Sequence, residues 1–535
     1  MKKLRIAVWH NLPAGGGKRQ LYYHIRGLVE RGHYVEAWCP DTADREFLPL
    51  SDIVKENVIL FKPSGDMRNF NSKDYGVVRE LLNAIEKNCR VCADQINSGD
   101  FDVLFANSCL LFRTNPMAKY VNIPSMLYLN EPYRQFYEAM PELPWIAPKT
   151  FRAGRFSLQG LLYYIKRLHT LDGIALQARE ELEFARSFDL ILVNSVFSRE
   201  SVLRAFNLES KVCYLGIDTD HYRPSGEMKE KYVIGIGYIY HGKGIDRAIR
   251  ALATIRMEKR PPLMWIGNSA SQHDLQTYID LAVSLNVDFV PKIHISDSEV
   301  ISLLSRASAM IYAPRLEPFG FAPLEANACG TAVVAIAEGG IKETMVDGVN
   351  GFLTNDDDPE MLGRLICKFI DDPMFAQQMG LEAREHVLKH WDMEFCTDNI
   401  ESHLIRLATE DSTRIKRLIA KKSLLEEIEP TDDIKMNIEE CKHAGQELFL
   451  KGWAYIDDGN SAFDSEIFVV LKNALTVTVI KADKIVREDV TAHFGGKVNY
   501  DDSGFVARII NKPAGVPKVG ILIHRREKIS LQFRG

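Results

Sequence analysis

Short, continuous apolar runs alternate with stretches of helical periodicity, and the alternation occurs twice along the chain. Leu4–Trp9 is followed, past Gly15–Gly17, by Leu21, Ile25, Leu28 and Val29 on helical spacing; Gly32 ends that pattern and Tyr34–Cys39 resumes the strand pattern. Phe101–Ala106, Pro124–Leu129 and Asp189–Val193 continue the first series. Strands that are apolar at nearly every position must be covered on both faces, which calls for a parallel sheet between layers of helices. The pattern restarts at Tyr232–Ile236 and continues through Leu263–Ile266, Ala309–Ala313 and Ala332–Ala335. The expected class is α/β, with two doubly wound domains of similar size, residues 1–220 and 225–391, facing a cleft. Helical residues 392–410 are expected to pack back on the first domain.

Beyond a charged helical connector at 411–429 the period changes to two. Glu447–Ala454, Ser465–Leu471 and Leu475–Ile480 read as strands, and Pro513–Pro517 marks a turn. Regularly spaced short strands without helices imply a small β-sandwich-like domain over 432–535.

Composition removes several function classes. Lys+Arg of 66 against Asp+Glu of 72 leaves a net charge of −6, which disfavours a dedicated nucleic-acid binder. A hydrophobic fraction of 46% is too high for a disordered chain. No apolar run approaches the roughly 18 residues that span a bilayer. The N-terminal Met1–His10 superficially resembles a signal peptide, but its apolar stretch is short and Gly15–Gly17 follow at once, so it reads as a buried strand. The nine cysteines are scattered, and Cys89 and Cys92 share a helix face without a second pair. They are read as structural, in a reducing cytosol. His10, His24, His241 and His294 lack metal-ligand spacing, so no metal site is expected.

Ligands of doubly wound sheets sit at the carboxyl ends of strands. That singles out Gly15–Gly17, Asn107, Asn130-Glu131 and Asn194-Ser195. The densest signal is Ala313–Gly330. Glu317 and Glu325 stand there with seven residues between them, Phe319-Gly320-Phe321 intervenes, and Pro323 sits where a helix should start. Free backbone N–H groups at such a start favour an anion. A carboxylate beside them can accept hydrogen bonds from sugar hydroxyls. The residues alone also allow one glutamate to cap the helix and the other to be solvated. Gly339-Gly340 follows a strand and can bring backbone amides close to phosphate.

The run from Ile311 to Leu353 resembles the retaining nucleotide-sugar glycosyltransferases of family 4, which have the GT-B fold of two facing Rossmann-like domains. Their Glu-x7-Glu motif is met by Glu317 and Glu325. The resemblance extends, more weakly, over residues 4–405 through Gly32-His33, Asn194-Ser195, Leu215–Asp218, Lys243-Gly244 and Gly267. It implies that Glu325 binds the nucleotide ribose and that Glu317 contacts the donor sugar beside the Phe319, Gly320 and Phe321 backbone. Lys243 would neutralise the diphosphate, with Gly340 nearby, while Gly15, Gly16 and Gly17 face the diphosphate or the acceptor from the opposite domain. The resemblance implies no bound metal or other cofactor. Two positions depart from the pattern. Tyr238 stands where the family commonly has an Arg, and its side chain is expected to point toward the cleft; either Arg19, Lys18, Lys342 or another cation then supplies the missing charge, or stabilisation of the leaving group is weaker. Asn130, placed in the catalytic set, stands where many members have a His.

The segment Pro144–Arg167 mixes aromatic and leucine side chains with Lys149, Arg152, Arg155, Lys166 and Arg167, which suits either an anionic membrane surface or packing on its own domain. The C-terminal domain is similar to accessory β-domains of some bacterial polysaccharide glycosyltransferases. Trp453, Tyr455, Phe494 and Phe505 would form either a glycan-stacking surface there or a sandwich core. The reading is a retaining glycosyltransferase of bacterial surface polysaccharide or glycoconjugate biosynthesis, cytoplasmic or at the inner face of the membrane. It would use a nucleotide sugar and a glycan or lipid-linked acceptor, and no nucleic acid. A catalytically degenerate glycan-binding or assembly subunit is the alternative, favoured by Tyr238 and Asn130. A sugar-nucleotide hydrolase or epimerase would need further acid–base groups that the sequence does not display.

Overall fold

Strand β1 (Arg5–Asn11) feeds two cores at once: Ile6 and Val8 enter one hydrophobic cluster, Ala7 and Trp9 another. Successive strand side chains point to opposite faces, so an unbroken apolar run is what a sheet covered on both sides requires. The computed structural model describes residues 2–63, 72–138, 143, 145–146, 158–409, 430–444, 447–463, 465–472, 477–509, 518–525 and 528–534. Contacts divide the chain into two compact units, Met1–Thr409 and Glu410–Gly535.

In the first unit β1 is followed by α1 (Gly16–Glu30), β2 (Tyr34–Pro40), β3 (Lys55–Ile59), α2 (Tyr75–Asn97), β4 (Val103–Cys109), β5 (Ser125–Tyr128), α3 (Arg134–Tyr137), α4 (Leu158–Arg186), β6 (Leu190–Val193), α5 (Val196–Phe206) and β7 (Lys211–Val212). These strands form a seven-stranded sheet in the order β3-β2-β1-β4-β5-β6-β7, parallel throughout. Helix α1 covers one face through Leu21, Ile25 and Leu28, and α2 the other through Val78, Leu81 and Ile85. Cys89 and Cys92 lie buried on α2, and all nine cysteines are free thiols.

The same architecture follows again: β8 (Glu230–Ile236), α6 (Ile245–Ala253), β9 (Leu263–Gly267), α7 (Gln272–Ser284), β10 (Phe289–Ile293), α8 (Asp297–Arg306), β11 (Ala307–Tyr312), α9 (Phe321–Ala328), β12 (Val333–Ile336), α10 (Ile341–Thr344), β13 (Gly351–Thr354), α11 (Pro359–Asp371), α12 (Pro373–His390) and α13 (Met393–Thr409). Its six parallel strands are ordered β10-β9-β8-β11-β12-β13. In both sheets the order reverses once, between β1 and β4 and between β8 and β11. A reversal opens a crevice at the carboxyl ends of the two strands, and ligands bind there. Helix α13 returns to the first domain and packs on α1. Glu401 is 2.8 Å from His33 Nε2 and accepts from Arg31 at 2.7 Å. Gly27 lets the two helices approach, since a Cβ there would lie 2.5 Å from Thr397 Oγ1.

The second unit consists of β14 (Ile434–Ala444), β15 (Glu447–Ile456), β16 (Ser465–Lys472), β17 (Val477–Lys481), β18 (Asp483–Ile485), α14 (Glu488–His493), β19 (Gly504–Ile509), β20 (Lys518–Arg525) and β21 (Lys528–Phe533). Two four-stranded antiparallel sheets, β14-β15-β19-β18 and β17-β16-β20-β21, enclose a core that includes Leu448, Leu450, Ile467, Val469, Phe505 and Ile521. The period-two pattern does not reveal α14, which is too short for a helical repeat to register. The four aromatic residues divide: Phe505 belongs to the core, whereas Trp453 and Tyr455 lie on the other side of β15. There Tyr455 stacks on Tyr500 with ring centroids 3.9 Å apart, and Phe494 is exposed. The connector at 411–429, the turn at Pro513–Pro517, the start of the Leu475–Ile480 strand and most of the segment between Pro144 and Ser157 lie outside the described residues.

Candidate active site

The carboxyl ends of the two switch points face one another across a cavity of about 1060 Å³. From the first domain, the loop after β1 contributes Gly15, Gly16 and Gly17, and the segment after β5 contributes Asn130 and Glu131. Close approach of the opposite domain accounts for Gly16. A Cβ on Gly16 would stand 3.2 Å from the Phe321 ring of the opposite domain, and one on Gly17 would stand 3.4 Å from Asn130 Nδ2. From the second domain, the turn after β8 contributes Gly237 and Tyr240–Lys243, the end of β11 contributes Tyr312, and the segment that follows it into α9 contributes Arg315–Ala322. Gly320 starts α9 with φ of +94°, and a Cβ there would fall 2.4 Å from Ile341 Cδ1. That forced start turns α9 so that Glu325 reaches the cavity wall while 95% buried.

The cavity is lined by carboxylates and cations that already hold one another. Lys243 Nζ lies 3.0 Å from Glu317 Oε2. Burial alone would lower the Lys243 pKa, but the charge and hydrogen bond of Glu317 outweigh it and raise it. Burial, reinforced by Glu317, pushes the Tyr312 hydroxyl well above its ordinary range. Arg19, on α1, forms an ion pair with Glu325, on α9, and so connects the two domains across the cleft. Glu325 overcomes the opposing effect of burial and raises the Arg19 pKa. Arg315 pairs with Glu338 at 2.6 Å, and Arg247 with Asp357 at 3.2 Å. At the first-domain side, burial raises the Glu131 carboxyl against the opposing charges of Arg113 and Arg134. Arg113 lies 5.4 Å from the Tyr133 ring centroid, with its Nε buried and without a hydrogen-bond partner among the described residues.

Of the residues that the sequence singles out, Glu317, Glu325, Lys243, Asn130, Gly16, Gly17, Phe319, Gly320 and Phe321 all line this one cavity. Tyr238 does not line it. Its ring packs edge-on against Tyr240 and its hydroxyl accepts from Ser269 Oγ at 3.3 Å, leaving it half exposed. The turn after β8 places Tyr240 on the cavity wall instead. Gly340 also lies off the wall. Its N–H donates to the Glu317 carbonyl at 2.8 Å, and a Cβ there would fall 2.2 Å from the Pro318 carbonyl, so it supports the Glu317 loop from behind. Among the strand-end residues, Ser195 is occupied in capping α5, its Oγ accepting from Ser198 N. Sequence reasoning named Arg19 only as a substitute cation and missed Tyr240, Tyr312 and Arg113. A single basic or aromatic residue past a strand carries no pattern of its own. Away from the cleft, His10, Cys39 and Glu56 converge within 4.8 Å of one another, a grouping their spacing does not suggest. Glu56 is 3.0 Å from His10 Nε2, and the Lys18 charge helps to hold its carboxyl below the usual range against burial.

Comparison with known proteins matches the first unit of the chain. The family "Glycosyltransferase Family 4" matches residues 14–221, and "Glycosyl transferases group 1" matches residues 218–386. A GDP-mannose-dependent alpha-(1-6)-phosphatidylinositol monomannoside mannosyltransferase of Mycolicibacterium smegmatis is 29% identical over 225 residues, 38% of this chain and 58% of that protein. A glycogen synthase of Mycobacterium tuberculosis is 30% identical over 161 residues, 30% of this chain and 38% of that protein. The chain thus spans between about two fifths and three fifths of these relatives. Sucrose-phosphate synthase from Thermosynechococcus elongatus shares the fold with a TM-score of 0.57 at 16% identity, over 76% of this chain and 99% of that one. Anabaena HepE, solved in complex with UDP and glucose, does so with a TM-score of 0.55 at 18% identity, over 75% of this chain and 99% of that one. Two facing Rossmann-like domains with a shared cleft define the class as GT-B. Within it, the chain belongs to the glycosyltransferases of the family 4 type. Among the described residues no helix is long and apolar enough to cross a membrane.

Proposed function

We propose that the protein is a retaining glycosyltransferase that moves a sugar from a nucleoside-diphosphate sugar to a glycan or lipid-linked acceptor. The observation that carries this reading is the convergence of Glu317, Glu325 and Lys243 on one cavity whose walls come from both domains. Glu325 accepts hydrogen bonds from the ribose, and Glu317 from hydroxyls of the transferred sugar beside the Phe319–Phe321 backbone. Lys243, a compact point charge, stabilises the departing diphosphate, whose charge grows in the transition state. Gly16 and Gly17 allow the start of α1 to approach the same phosphates, and Asn130 donates to the sugar or phosphate. The leaving diphosphate oxygen takes the acceptor proton on the face of the sugar it vacates. The protein therefore supplies positioning and charge rather than a covalent nucleophile. No metal or cofactor has a role in this reading.

The mannosyltransferase relative, whose name specifies GDP-mannose and a phosphatidylinositol mannoside, supports a lipid-linked acceptor and a place in bacterial surface glycoconjugate assembly at the cytoplasmic face of the membrane. The first half of α4 exposes Leu162, Ile165 and Leu168 beside Lys166 and Arg167, a surface that suits anionic lipid. The test is a panel of UDP- and GDP-sugars, following nucleotide release with and without crude lipid and glycan extracts. Release that depends on one donor and rises with one extract is expected. Absence of nucleotide binding across the panel would instead favour a non-catalytic glycan-binding subunit.

A further inference from the structure

Resting on the donor reading above, we propose that Arg19 is an exchangeable cation. It holds Glu325 while the cleft is empty, and it passes to the diphosphate when the ribose takes that carboxylate over.

Among the described residues, six cationic side chains line the cavity: Arg19, Arg113, Arg134, Lys243, Arg247 and Arg315. Arg134, Arg247 and Arg315 are tied to Glu138, Asp357 and Glu338, carboxylates without a ligand role in the donor reading. Arg113 faces the Tyr133 ring on the first-domain side. Arg19 and Lys243 differ, because their partners are the two glutamates of the Glu-x7-Glu motif. The Arg19–Glu325 pair is also shielded, with side-chain exposures of only 18% and 6%. Ribose hydroxyls that donate to Glu325 compete for the lone pairs Arg19 occupies. A guanidinium left without an anion in so shielded a place is costly. The same incoming molecule brings the replacement anion, and a guanidinium fork matches phosphate oxygens. Position 238 lies off the cavity wall and supplies no charge; among the first-domain cations on that wall, Arg19 is the one whose carboxylate partner the ribose would take over. Because Arg19 and Glu325 belong to opposite domains, the exchange also couples ribose recognition in one domain to phosphate recognition in the other.

The exchange has a thermodynamic signature. A nucleoside alone must break the ion pair without offering a substitute, whereas a nucleoside diphosphate repairs what it breaks. Calorimetric titrations of uridine, guanosine, UDP and GDP into the wild type, Arg19→Ala and Arg19→Lys at one ionic strength read it directly. For Arg19→Ala, nucleoside affinity is expected to stay level or rise a fewfold, while diphosphate affinity falls at least about tenfold, so the gain from the two phosphates collapses. Arg19→Lys keeps the charge and loses the fork. It is expected to fall between the two, and it decides the matter should the alanine variant fail to fold. An unchanged phosphate gain in Arg19→Ala overturns the exchange and leaves the donor reading standing. Parallel loss of nucleoside and diphosphate affinity also overturns it, by reducing Arg19 to a support for Glu325. A wild type that binds neither diphosphate overturns the donor reading and the exchange with it.

Discussion

Lys243 Nζ stands 3.0 Å from Glu317 Oε2, so the ammonium and the carboxylate assigned to opposite ends of the bond being broken neutralise each other before a substrate arrives. Glu317 is also what keeps the Lys243 pKa raised in a site where burial acts to lower it. Glu317 therefore keeps Lys243 charged and Lys243 holds Glu317 in place, so substitution of one is felt at both.

Glu317→Ala is expected to lower turnover at least about tenfold with the fold intact, the loss of a charged hydrogen bond being worth roughly 1.5–3 kcal/mol. Glu317→Gln should in addition move the alkaline limb of the pH–rate profile to lower pH, because Lys243 loses the charge that opposes its desolvation. Steady-state rates at saturating donor across pH 6–10 check both. Wild-type turnover in the alanine variant would contradict the assignment.

Tyr238 lies off the cavity and Tyr240 on it, so the two should separate kinetically. Tyr238→Ala is expected to leave the donor KM within about twofold. Tyr240→Ala should raise it several-fold, since its ring lines the wall beside Lys243. A donor KM series on the two variants distinguishes them, and the reverse ranking would mean that the turn after β8 rearranges on binding.

Gly320→Ala should destabilise the second domain by about 1–3 kcal/mol. The backbone there holds φ at +94°, and the new methyl would meet Ile341 Cδ1 at 2.4 Å. Urea midpoints should show part of this loss recovered by Ile341→Val, which removes the clashing carbon, a non-additivity expected of residues in contact.

His24 is buried against Cys396, and desolvation lowers its pKa to about 3. A buried neutral histidine that ionises on unfolding binds more protons in the unfolded state between its two pKa values. Its contribution to stability is therefore present above the unfolded value near 6.5 and is lost as pH falls toward 3. His24→Gln should remove up to about 1.4 kcal/mol per pH unit of acid sensitivity below 6.5. Unfolding free energies of the two proteins at pH 7.5, 6 and 5 measure the difference in slope.

The sheet architecture was legible because continuous strands such as Leu4–Trp9 have no other way to bury both faces. Strand β3 was not. Three of its five residues, Lys55, Glu56 and Asn57, are charged or polar, and it sits at the edge of the sheet. Motif positions outside the cleft were legible as conspicuous residues but not as to purpose. Gly216 proves to be a place where a Cβ would lie 2.7 Å from Met393 Cα at the start of α13, and His33 a partner of Glu401.

The sequence by itself determined what depends on local pattern: two doubly wound domains, a β-rich domain of different period, and the candidate residues Gly16, Gly17, Asn130, Lys243, Glu317 and Glu325, the last three marked by motifs of the family it resembles. Each follows from side-chain periodicity or from a motif only a few residues long. Tertiary structure alone decided which of those residues share a wall, that Tyr240 and not Tyr238 faces the cavity, and that Gly340 supports the Glu317 loop from behind. It alone paired Arg19 with Glu325, 306 positions away. The direction of a side chain in a turn and the partner of a charge depend on how elements distant in sequence pack together, and no local periodicity encodes that.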